Sequence, residues 1–126
     1  MDIGKIKNNH IYYDGYEGET EIVLSINESK DLNMHVWEGY FDDIFGEPSL
    51  VGDGWRGFTR DIHQMERIFS NEEFNMIVDV SEYLEDLITY KDKTFRYEES
   101  AEVLNMLITF FEYVKQNNFT VTVDVI

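Results

Sequence analysis

At 126 residues, with nine phenylalanines, eight tyrosines and a single proline, the chain can bury a core and is too rich in rings to be disordered. It has no cysteine, which excludes disulfides, thiolate metal sites and a cysteine nucleophile. Twenty-six acids against ten bases give a net charge of −16, so neither free nucleic acid nor anionic membrane, which both need a basic footprint, is an expected partner.

The elements follow in chain order. Ile3 to Lys7 reads as a short edge strand ending at an Asn8-Asn9 turn, with His10-Ile11-Tyr12-Tyr13 pairing back and Asp14-Gly15 as the punctuation of a hairpin. Tyr16 to Glu19 is a glycine-bearing acidic turn. In the next run Ile22, Leu24 and Ile26 share one face, and in Leu32 to Trp37 so do Leu32, Met34 and Val36. Three or four antiparallel strands are therefore expected by Phe41. Gly46 to Gly57 holds four of the eight glycines and the lone Pro48, and reads as the longest loop, packed by Trp55. Thr59 to Phe69 is ambiguous: Ile62, Met65 and Phe69 fit a helical face, and a strand fits about as well. Asp79 with Glu82 resembles a capping box opening a short helix that carries Tyr83, Leu84, Leu87 and Ile88.

From Glu98 to Asn117, the polar residues Glu102, Asn105, Thr109, Glu112 and Gln116 recur at spacings of three and four, and apolar residues fill most of the remaining circumference. Such a helix must be covered on more than one side. Asn117-Asn118 supplies a left-handed stop, and Phe119 to Val125 alternates as a strand. Together these predict one α+β domain over 1–126. An antiparallel sheet from the N-terminal half plus a C-terminal strand packs against two helices, the longer at about 98–117.

No motif carries chemistry by its spacing. Gly52-Asp53-Gly54-Trp55-Arg56-Gly57 matches the letters of a dinucleotide fingerprint, but Pro48 to Val51 is too short for the buried strand it requires, and Asp53 would repel phosphate. His10, His35 and His63 share no metal-ligand spacing; His35, between Met34 and Val36, reads as a surface or satisfied histidine. Asp42, Asp43, Glu47 and Asp53 lack the ligand ladder of a calcium loop. No metal, cofactor or catalytic residue is expected on these grounds.

Charge is distributed unevenly. From Asn8 to Trp55, eleven acids face one base, Lys30, a net of −10 across 48 residues. A basic protein is the natural complement, although solubility alone explains many acidic chains. Within that region Trp37, Tyr40, Phe41 and Phe45 stand beside Glu38, Asp42, Asp43 and Glu47, the mixture of ring anchors and steering charges found in protein-binding patches. The same rings could equally be core.

A small, acidic, cysteine-free α+β chain carrying the run from Pro48 to Asp61 (Pro-Ser-Leu-Val-Gly-Asp-Gly-Trp-Arg-Gly-Phe-Thr-Arg-Asp) resembles bacterial immunity proteins of contact-dependent growth inhibition and related polymorphic toxin systems. That resemblance implies a non-enzymatic antidote that binds a cognate toxin domain, often a basic nuclease, and blocks its active site. With no apolar leader or membrane-length run, a cytoplasmic location is expected. The expected contact residues are Glu17, Glu19, Trp37, Asp42, Asp43, Glu47, Asp53 and Trp55, with Glu102 and Glu112 of the long helix lying off that surface. Two other classes stay open: an acidic regulatory adaptor for another basic protein, and a small enzyme with a site around His63, Asp61 and Arg60.

Overall fold

Strand β2 (Glu21–Ile26) and strand β3 (Ser29–Trp37) form the hairpin on which the sheet is laid down. Their antiparallel register sets Ile22 opposite Val36 and Leu24 opposite Met34, and all four side chains are fully buried. The alternation seen in the sequence thus delivers one wholly apolar face. The computed structural model describes residues 3–46, 55–65, 75–77 and 79–126. Within it, β5 (Val121–Val125) pairs antiparallel with β2, and β4 (Asn75–Ile77) pairs antiparallel with β5. Strand β1 (Asn9–Tyr12) lies on the other side of β3, giving the order β1-β3-β2-β5-β4.

Two expectations need correction here. Strand β1 runs parallel to β3, so the sheet is mixed rather than antiparallel. Ile3–Ile6 is a 3-10 turn and not a strand; an isolated bridge, Lys7 to Leu32, and the Asn9 side-chain amide, donating to the Lys5 carbonyl at 2.7 Å, join this segment to the sheet. With Ile6 fully buried, the turn plugs a corner of the core rather than extending its edge.

Among the described residues the helices number four rather than the two expected: α1 (Glu38–Phe45), α2 (Gly57–Arg60), α3 (Val80–Ile88) and α4 (Glu98–Gln116). From α2 the chain runs directly into a wider π-type turn at Asp61–Met65, which decides in favour of helix for that part of the ambiguous stretch. Phe69 lies outside the described residues. In α3, Asp79 caps as its spacing suggested, accepting from the Glu82 amide at 3.2 Å. Helix α4 buries Val103, Leu104, Leu107, Ile108, Phe110, Phe111 and Val114, while Glu102, Asn105, Glu112 and Gln116 stay exposed. Asn118, with φ 56°, makes the left-handed stop that reverses the chain into β5.

All these helices join the apolar sheet face in one hydrophobic cluster. The other sheet face carries Glu21, Ser25, His35 and Asp124, all half-exposed, and Met76, which is exposed. Gly57 is required where α2 meets α3: its φ is 57°, and a Cβ there would come within 2.9 Å of the Asp86 Cβ. Among the described residues, no helix is long and apolar enough to cross a membrane.

Candidate functional site

Helix α1 starts at Glu38 with no loop after β3, so Trp37 is the last strand residue and the helix N-cap at once. This abrupt corner turns the Trp37 ring across Gly39, where any Cβ would fall about 2.3 Å from the ring carbons. Glycine lets the indole lie flat on the backbone.

A second segment reaches the same corner. The turn from Tyr13 to Thr20 is held by the Tyr13 hydroxyl, which donates to the Glu19 carbonyl at 2.6 Å, and by the Glu38 amide, which donates to the Thr20 carbonyl at 3.1 Å. It lays Tyr16 on Trp37 with centroids 4.0 Å apart and planes 4° from parallel. Tyr40 and Tyr97 meet the indole edge-on at 5.2 and 5.4 Å. Rings from four segments so form one aromatic floor.

Beside it lies an open cleft of about 440 Å³, lined by Glu19, Trp37, Glu38, Asp42, Arg96 and Tyr97 among others, so that of the four rings Trp37 and Tyr97 border it. The Trp37 indole N–H donates to the Glu19 carboxylate at 3.3 Å. Burial, the Tyr16 hydroxyl and the charges of Glu99 and Glu102 all push the Tyr40 hydroxyl well above its ordinary pKa. Burial and the Glu102 charge do the same to Tyr12. Glu102 thus adds to the field around Tyr40 and Tyr12, and it does not line the cleft itself. Three carboxylates, Glu19, Glu38 and Asp42, against the single Arg96 guanidinium leave the cleft lining net negative and attractive to a further guanidinium or ammonium group.

The structure sorts the expected contact residues. Glu19, Trp37 and Asp42 converge on the cleft, and Glu17 is exposed on the adjoining turn, accepting from the Gly15 amide at 3.1 Å. Asp43, next to Asp42, points elsewhere. Its carboxylate accepts from the Arg96 and Tyr97 amides, each at 2.9 Å, and from the Ser100 hydroxyl at 2.7 Å, so it caps the start of α4 from α1. Lys93 returns the favour by donating to the Asp43 and Ile44 carbonyls at the end of α1. Trp55 does not line the cleft; its ring sits 5.2 Å from that of His63. Glu47 and Asp53, like the glycines of the fingerprint-like run before Trp55, lie outside the described residues. Of the expected ring patch, Phe41 and Phe45 are fully buried and belong to the core.

Of the residues of the enzyme alternative, Arg60 and Asp61 pair with each other, while His63 turns to a backbone carbonyl. The His63 Nε2–H donates to the Phe45 carbonyl at 2.6 Å, which can only accept. Asp61 is buried and accepts instead from the Tyr83 hydroxyl, with the Arg60 guanidinium 3.6 Å away. Nearby Asp86, also buried, accepts from the Thr59 amide at 3.0 Å and the Thr59 hydroxyl at 2.8 Å, and the latter is 2.6 Å from the Tyr90 hydroxyl. Burial pushes the Asp86 carboxyl up to about 6 despite those bonds. This network lies between α2 and α3, where it joins two helices through their polar groups.

Sequence reasoning missed Arg96 and Tyr97 in the cleft lining and Tyr16 stacked on Trp37, because only the tertiary fold brings these segments together. It also missed a group of metal-ligand type: His10, Glu21 and His35 lie together on the half-exposed sheet face. No family model, curated protein or solved structure matches the chain.

Proposed function

We propose that this chain is an immunity-type inhibitor, acting in the cytoplasm, that docks its acidic cleft onto a basic protein and occludes that protein's working surface. A toxin nuclease domain is the partner of choice, since its phosphate-binding groove offers the cationic side chains the cleft would take. The observation carrying this reading is the convergence of Glu19, Trp37 and Asp42, from three separate places in the chain, on one open cleft beside an aromatic floor. An inserted lysine or arginine would meet the Glu19, Glu38 and Asp42 carboxylates, which outnumber the Arg96 guanidinium in the lining, beside the Trp37 edge and the Tyr97 ring. Those are the elements of a binding hot spot. The surrounding charge would steer encounter.

The test is association kinetics, at two ionic strengths, with a toxin domain encoded beside this gene. Glu19→Lys and Asp42→Lys should slow association and flatten its salt dependence, since screening acts on long-range steering. Trp37→Ala should chiefly speed dissociation, by roughly 2 kcal/mol or more if it is a hot spot. Glu112→Lys, on the far stretch of α4, is the comparison. Weaker binding from Glu112→Lys with no effect from the cleft pair would place the interface elsewhere.

A further inference from the structure

We propose that His10, Glu21 and His35 form a three-ligand site for a zinc-class divalent transition metal that clips edge strand β1 to the β2–β3 hairpin. Each residue comes from a different strand, and one ligand atom from each lies within 4.8 Å of the others. The His35 Nδ1 is 2.5 Å from a Glu21 carboxylate oxygen, and both side chains are only about a sixth exposed (18% and 17%). The His10 ring stacks on that of His35 at 3.8 Å, with planes 23° apart. His10 itself is exposed, so the group is partly shielded yet open on one side.

Three features favour a metal over a simple hydrogen-bonded pair. Two neutral imidazoles and one carboxylate are a donor set that zinc accepts, with a fourth position left for water. Nitrogen donors select against magnesium and calcium, which take oxygen ligands. The spacing is also close to what coordination needs. Bonds of about 2.0–2.1 Å at tetrahedral angles put donor atoms about 3.4 Å apart. The His35–Glu21 pair would open by roughly 1 Å as the metal replaces the proton between them. His10 would have to close by about 1.4 Å at most and swing out of its stack on His35, so that both ring planes contain the metal, a rotation open to an exposed side chain.

The parallel pairing of β1 gives such a clip a purpose. β1 is a four-residue strand with an irregular register against β3, held at the edge of the sheet. A metal bridging β1, β2 and β3 would hold β1 in place and so keep the β3 edge beneath it covered.

The experiment is a zinc titration of the metal-stripped full chain by calorimetry, in millimolar magnesium to occupy exposed carboxylates, with thermal melting in parallel. The expected result is one zinc per chain with micromolar or tighter affinity, and a melting temperature that rises with zinc. Affinity should fall at least about tenfold in His10→Ala, His35→Ala and Glu21→Gln, and stay unchanged in His63→Ala. His10 is exposed, so His10→Ala tests the site without disturbing the core. Cobalt should give the intense visible bands of a tetrahedral nitrogen–oxygen site in the wild type and lose them in His10→Ala. Zinc binding that magnesium displaces, or that persists unchanged in His10→Ala, would overturn the proposal and assign the ion to surface carboxylates.

Discussion

Asp42 and Asp43 are neighbours in α1 with opposite expected phenotypes, and Asp43 offers the sharper test. Its carboxylate takes hydrogen bonds from two backbone amides and from Ser100, whose residue is fully buried. In Asp43→Ala the Ser100 hydroxyl is left without this acceptor in a dry place, at a cost of about 1–3 kcal/mol. The two amides lose a charged cap worth about 0.5–2 kcal/mol, partly recovered by water because Arg96 is exposed. Together about 2–4 kcal/mol is expected, equivalent to a fall in Tm of about 10 °C in a domain of this size. Asp43→Asn keeps one good acceptor but turns an amide group toward a donor, so roughly half that loss is expected. Urea unfolding followed by fluorescence gives the numbers, with Asp42→Ala as the comparison. The pH dependence provides a second reading. Burial raises the Asp43 pKa, but its bonds to Ser100, Arg96 and Tyr97, with the Lys93 charge, outweigh that and hold it below the ordinary 3.8. A group with a depressed folded pKa stabilises above its unfolded value and loses that contribution as pH falls through the folded one. The gap between wild type and Asp43→Ala should therefore narrow in strong acid. An Asp43→Ala protein within about half a kcal/mol of wild type at neutral pH would refute the capping argument.

Asp86 should show the reverse pH dependence. With its folded pKa raised to about 6, its contribution is full below the ordinary 3.8 and lost as pH rises through 6, so Asp86→Asn should flatten the stability profile between those values by up to about 3 kcal/mol in urea melts. A variant as pH-dependent as wild type in that window would sink the assignment. Phe111→Ala, at a fully buried position touching Phe58, Tyr83 and Phe110, should cost about 3–5 kcal/mol in the same assay.

The parts of the fold legible in the sequence are those whose physics is local. Periodicity located β2, β3, β5 and α4 because each buries one face against a single core, and a misplaced register would expose that face. Helix α1 escaped notice because β3 enters it without a loop, and its N-cap, Trp37, makes no side-chain cap bond. The parallel partner of β1 and the three-residue β4 depend on pairings between distant segments, which periodicity does not encode. The metal-type group was half visible. Alternation puts His35 on the face opposite Met34 and Val36, and Glu21 on the face opposite Ile22, so both were outward on successive strands. What was missing was the register that sets Val23 opposite His35, and the parallel β1 that brings His10 alongside.

The acids of the base-poor region divide by what they do inside the fold. Asp43 caps α4, and Glu21 pairs with His35. Glu28 accepts from the Thr120 amide and hydroxyl, and Asp31 from Ser29, with Lys7 3.9 Å away. Each of these joins its segment to another or closes a turn, so its charge is accounted for by structure. Glu38 and Asp42 stand instead at a shared cleft, Glu19 touches it through Trp37, and Glu99 and Glu102 add to the field on Tyr40. Like charges gathered at one corner repel, which weakens the free protein, and a chain at −16 already carries that cost everywhere. Solubility would be served as well by spreading them. On the proposed function, concentrating them beside the aromatic cluster, with three carboxylates against Arg96 in the cleft lining, leaves a surplus of negative charge for a basic partner to meet. A basic partner bound there would relieve the repulsion that the free fold sustains, and the relief would add to the affinity.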